Sequence, residues 1–180
     1  MDRSDWRYER FQQAKADEAF VMSALTLNCG GGTSGATLED DMKKHIDVLW
    51  DSPKKGILKL DVKSVKQNRT NDHTPDDSIN WLEIQNTLGQ NGWLKGEADY
   101  IAFKTFTDVI FVKRQKLLEW TLEQIKGKEL VHETPTEFYV PYRRAKWNNL
   151  DIVVKCPTSD LRKLASWSIP NDWYYNIMRQ

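Results

Sequence analysis

The sequence has no long hydrophobic run. A helix that spans a bilayer needs about 20 consecutive apolar residues, and no stretch of the 180 residues approaches that. No membrane partner is therefore expected. The opening residues Met1 to Trp6 lack a basic region followed by an apolar one, which argues against a secretory signal and for a cytoplasmic, intracellular protein. Cysteine is scarce: Cys29 and Cys156 are far apart and form no C-x-x-C pair. That excludes the usual zinc and redox motifs and suits two thiols in a reducing compartment. Charge of one sign is lacking too, with 26 Lys plus Arg against 26 Asp plus Glu. A balance of this kind speaks against a sequence-blind nucleic-acid coat protein. The glycine-rich stretch Asn28 to Gly35 is not followed by Gly-Lys-Ser/Thr, so it is not a Walker A loop. It reads as a flexible loop or flap, with phosphate cradling left open. Repeats, low-complexity tracts and linkers are absent, so residues 1–180 are expected to form a single domain.

What is present centres on Lys59-Leu60-Asp61-Val62-Lys63-Ser64. Strand side chains alternate faces. Leu58, Leu60 and Val62 then point one way, and Ile57, Lys59, Asp61 and Lys63 the other. Residues 42–50 read as the preceding strand and carry Asp47. The Pro53 to Gly56 segment between them has turn chemistry, so a hairpin would bring Asp47 close to Asp61. Two carboxylates that close repel each other unless a cation lies between them. The segment 54–69 also holds Lys54, Lys55, Lys59, Lys63, Lys66 and Arg69 against Asp61 alone. A basic surround beside paired acids suits a metal-dependent enzyme acting on phosphates; a solvated charged face is the plainer reading.

Elsewhere the chain alternates helix and strand signals. Residues 4–26 read as a helix with Phe11, Ala14, Val21, Met22 and Leu25 as its buried stripe, and Glu18 on that same stripe. A buried carboxylate needs a partner or a cation; at the stripe's edge it would instead reach water or an arginine. Lys66 to Ser78 reads as an exposed loop that orders on substrate. Strands are expected at 81–86, 98–103 and 108–112, as an antiparallel meander continuing the sheet. A helix follows over 114–126, then strands at 138–142 and 151–155. The basic, aromatic segment Tyr142 to Trp147 lies between those two strands, and Thr158-Ser159-Asp160 caps a short last helix.

An acid, a turn and D-x-K on the next strand resemble the core of the PD-(D/E)XK nuclease superfamily, over roughly residues 10–112. Ile46 stands where that motif has Pro, and Asp61 is the acid of D-x-K. A second match, Pro75-Asp76 with Glu83-Ile84-Gln85, lacks the lysine. The resemblance implies an α/β (α+β type), restriction-endonuclease-like fold with a central mixed β-sheet flanked by helices. It implies DNA as partner and Mg2+ as cofactor, with Mn2+ able to substitute. Asp47 and Asp61 would hold the ion, with the Val62 carbonyl and Glu18 as further ligands. Lys63 would assist the attacking water. Lys66, Arg143, Arg144 and Gln85 would hold the substrate. Junction-resolving members pair as dimers, which leaves a homodimer open. The alternative is a non-catalytic nucleic-acid- or protein-binding module on the same fold, with the eight Trp as a partner surface.

Overall fold

The computed structural model of the chain describes residues 3–67, 74–144 and 149–172. Arg69, Lys146, Trp147, Trp173, Tyr174 and Tyr175, singled out in the sequence, lie outside the described residues. The architecture is mixed α/β. A long helix, α1 (Arg3–Cys29), leads into a short strand, β1 (Gly32–Gly35), and a second helix, α2 (Leu38–Lys44). The hairpin β2 (Val48–Ser52) and β3 (Gly56–Lys63) follows. Two small strands, β4 (Lys66–Gln67) and β5 (Pro75–Asp76), precede β6 (Ile79–Gln85) and a 3-10 turn at Trp93–Lys95. Next come β7 (Tyr100–Lys104), β8 (Asp108–Lys113) and α3 (Arg114–Ile125). The described chain closes with β9 (Pro141–Tyr142), β10 (Ile152–Pro157), α4 (Thr158–Leu164) and β11 (Trp167–Pro170). None of the described helices is long and apolar enough to cross a membrane.

Six strands form a mixed sheet in the order β1-β2-β3-β7-β8-β11. Only β3 and β7 pair in parallel; the remaining neighbours are antiparallel. One face of this sheet packs on α1, where Val21, Ala24 and Leu25 are fully buried against Val48, Leu60 and Phe111. The other face carries Ile101, Phe103, Ile110 and Val112. It packs against α3, α4 and a three-stranded sheet in the order β6-β10-β9. Each fully buried Leu, Val or Phe contributes about 1.5–3 kcal/mol by leaving water, so the two apolar layers hold the strand ends between them.

Several expectations change here. The glycine-rich stretch is not a loose flap: Gly32–Gly35 is the edge strand paired to β2. Gly31 permits that pairing, because a Cβ there would sit 2.0 Å from the Asp51 carbonyl oxygen, and its φ is +84°. Residues 42–44 belong to α2 rather than to the strand expected over 42–50. Thr37 caps that helix, its Oγ1 accepting the Asp40 N–H, and the Asp40 carboxylate accepts the Thr37 hydroxyl in turn. The helix ends at His45 in the left-handed conformation.

The expected meander also splits. β6 leaves the large sheet for the small one, and β7 returns parallel to β3. Of the stretch 138–142 only Pro141–Tyr142 forms a strand. Thr158 does not cap α4 with its side chain; its hydroxyl donates to the Asp77 carbonyl and accepts from Asn80. On α1 the helix turns further than expected. Phe11 is 56% exposed, and the carboxylate on the buried stripe is Asp17, held by Lys104 and Gln13. The loop over 66–78 has its base tied by the β4–β5 ladder.

Candidate active site

The alternation along β3 aims its residues as the sequence suggests. Leu60 and Val62 enter the α1 layer, while Asp61 and Lys63 face the other side. The β2–β3 hairpin then delivers Asp47. Its N–H donates to the Leu60 carbonyl at 2.8 Å, and its Oδ2 accepts the Val62 N–H at 2.7 Å. These two bonds flank Asp61, so Asp47 is pinned across the residue it must neighbour. Val62 thus enters the site as a donor to Asp47.

Asp61 is 1% exposed. Lys63 Nζ donates to its Oδ1, and its Oδ2 has no hydrogen-bond partner. Burial pushes the Asp61 carboxyl up to about 8; Lys63 opposes this and neighbouring Asp47 adds to it. Lys63 is itself fixed on a second side: its ammonium stands 4.7 Å from the ring centroid of buried Trp93. Trp93 reaches that position because Gly92 lets the 3-10 turn lie against β6. A Cβ on Gly92 would stand 2.4 Å from the Glu83 carbonyl oxygen.

Glu18 does reach this region. Burial raises its pKa, Lys15 lowers it through a 2.8 Å ion pair, and nearby Asp47 raises it again. Asp41, on α2, is an acid that sequence reasoning missed. Burial and the adjacent Asp47 carboxylate both raise its pKa, and Lys15 stands 3.9 Å away. The signal was there in Thr37-x-x-Asp40, a capping pattern that starts a helix and places Asp41 in its first turn. His45 closes the same side, its imidazole pushed toward the neutral form by burial and then by Lys63.

The predicted substrate contacts divide. Lys66 is exposed on β4. Arg144 is bound to the fully buried Asp151 and lies 3.5 Å from Glu83, so it ties β9 to β6 and β10. Gln85 donates to the Leu150 carbonyl at 2.6 Å. Arg143 keeps a buried Nε without a partner. The basic run is also stretched out. Lys54 and Lys55 sit at the hairpin turn, seven and six residues before Asp61, or roughly 20 Å along an extended strand. Among the described residues of the run, Lys63 lies at the acidic end and Lys66 follows it on β4.

Among the described residues no three His, Cys, Asp or Glu side chains stand together as a ready set of metal ligands. The donor chemistry nonetheless fits a hard cation. The site offers carboxylate oxygens, one of them buried and unpartnered, and hard divalent ions take oxygen ligands. No protein-family model, curated protein or solved structure matches this chain.

Proposed function

We propose that this chain is a metal-dependent nuclease that hydrolyses DNA phosphodiester bonds, on a restriction-endonuclease-like version of the PD-(D/E)XK core. One observation carries the reading: Asp61 is buried, bonded to Lys63 and adjacent to Asp47, yet one of its oxygens has no partner. A buried carboxylate left so is costly, and a divalent cation relieves the cost. Asp47 and Asp61 would hold Mg2+, or Mn2+ in its place, with Glu18 and the Val62 carbonyl as further oxygen donors. The ion supplies the Lewis acidity and charge that phosphodiester hydrolysis draws on. Lys63 orients the attacking water and offsets charge on the phosphate, and Trp93 keeps its ammonium from swinging away. Lys66 and Arg143 would meet the DNA backbone; Arg144 and Gln85 instead brace the wall behind them. Such an enzyme would work in the cytoplasm, as a monomer or a homodimer; solution mass decides between them.

The experiment is cleavage of linear duplex, single strand, flap and four-way junction DNA in Mg2+. Wild type should cut at least one of these, and Asp61→Asn and Lys63→Ala should not. A protein that cuts none of them is left with the second reading, a non-catalytic binding module. The engagement of Arg144 and Gln85 in internal contacts favours that reading.

A further inference from the structure

The N-terminal half of α1 carries a stripe whose two rings packing does not use. Tyr8, Phe11, Lys15 and Glu18 are spaced three, four and three residues apart, which aligns them along one side of a helix. This is not the buried side: Tyr8 is 66% and Phe11 56% exposed, while Asp17, Val21, Ala24 and Leu25 are the residues that bury.

The stripe runs into the candidate site. The Lys15 ammonium lies 5.8 Å from the Phe11 ring centroid, 2.8 Å from Glu18 and 3.9 Å from Asp41. α2, which Lys15 reaches through Asp41, exposes Leu38 and Met42 one turn apart. Large apolar side chains clustered at a surface mark a binding face. The interleaving of rings with a cation narrows the occupant. Proteins that hold single strands combine aromatic rings, on which bases stack, with cations that follow the phosphates. By helix rise, Phe11 lies about 10 Å and Tyr8 about 15 Å from Glu18 along the axis. That is roughly three to four stacked nucleotides.

We infer that Tyr8, Phe11 and Lys15 form a track for the unpaired bases of a DNA strand whose scissile phosphate lies at Asp47 and Asp61. The substrate class is then DNA with a single-stranded tail or flap. This inference rests on the nuclease reading.

The test is fluorescence anisotropy in EDTA with an oligo-dT strand and a blunt duplex, followed by cleavage of tailed and blunt duplexes in Mg2+. Wild type should bind oligo-dT more tightly than duplex. Joint replacement Tyr8→Ala and Phe11→Ala should weaken oligo-dT binding by about tenfold or more and leave duplex binding within about twofold. On the tailed substrate it should raise KM and leave kcat unchanged. Phe11→Trp should retain binding, which separates stacking from a folding defect. Unchanged oligo-dT binding in the double variant overturns the inference, as does a wild-type preference for duplex. So does a wild-type dimer that the double variant splits into monomers. If wild type cuts neither the tailed nor the blunt duplex, the nuclease reading fails, and the binding data alone decide the track.

Discussion

Two buried acids in this chain sit in opposite circumstances. Asp108, at the start of β8, has both oxygens occupied: Thr105 and Thr107 hydroxyls donate to Oδ1, and Arg162 closes on Oδ2. Asp61, near the end of β3, has Lys63 on one oxygen and nothing on the other. The first acid stitches a turn to α4. The second is desolvated beside Asp47, and its carboxyl is pushed up to about 8. Structures satisfy the polar groups they bury, so the contrast sets Asp108, tied into the fold on both oxygens, apart from Asp61, the acid to which the proposed chemistry is assigned.

That contrast can be broken or sharpened by substitution. Lys63→Ala should show the largest effect, a loss of about 10²–10⁴ in kcat beyond what any shift in melting temperature explains, read by initial rates on folded protein beside calorimetric melts. A purely structural lysine would give the reverse pattern. One residue away on the apolar face, Leu60→Ala should lower stability by about 2–5 kcal/mol in urea unfolding, because Leu60 is fully buried. Asp108→Ala should cost about 1–3 kcal/mol, since it strands the hydroxyl and guanidinium donors around it. Asp61→Asn should cost nothing comparable near neutral pH, because it removes the burden of burying a carboxyl that ionises in the unfolded chain.

The smallest effect is in pH dependence. Asp61 titrates near 8 in the fold, well above an ordinary carboxyl. The folded state therefore binds a proton more tightly than the unfolded chain. Asp61's contribution is complete below about pH 4 and is lost as pH rises toward 8. In EDTA, melts from pH 5 to 8 should show this decline for wild type and a flatter profile for Asp61→Asn. A decline of the same size in the variant would assign it to another group.

Much of this site was legible from local rules. The period of two along residues 57–63 places Asp61 and Lys63 together, and Pro53 with Gly56 makes the hairpin that returns Asp47 to them. What was hidden depends on contacts distant in sequence. The parallel pairing of β3 with β7 joins residues about 40 apart, and nothing local announces it. The same holds for the departure of β6 into the small sheet, where its partner is β10, about 70 residues on. Arg144 looked like a phosphate contact because its charge is visible in the sequence and its partner, Asp151, is not visibly buried. Asp41 was missed for a different reason. Its helix was overshadowed by the apolar run that follows, although Thr37 and Asp40 signal a helix start. Glu18 was found by a stripe drawn slightly off: the helix buries Asp17, and Glu18 reaches the site from its shoulder.

The central claim is that the bare oxygen of Asp61 belongs to a cation. Isothermal titration calorimetry with Mg2+ and Mn2+, on wild type and Asp61→Asn, tests it most directly. The account predicts binding to wild type that is lost in the variant, while Asp108→Ala at a temperature where it stays folded keeps it. Absence of binding to wild type, or equal binding to Asp61→Asn, would contradict it.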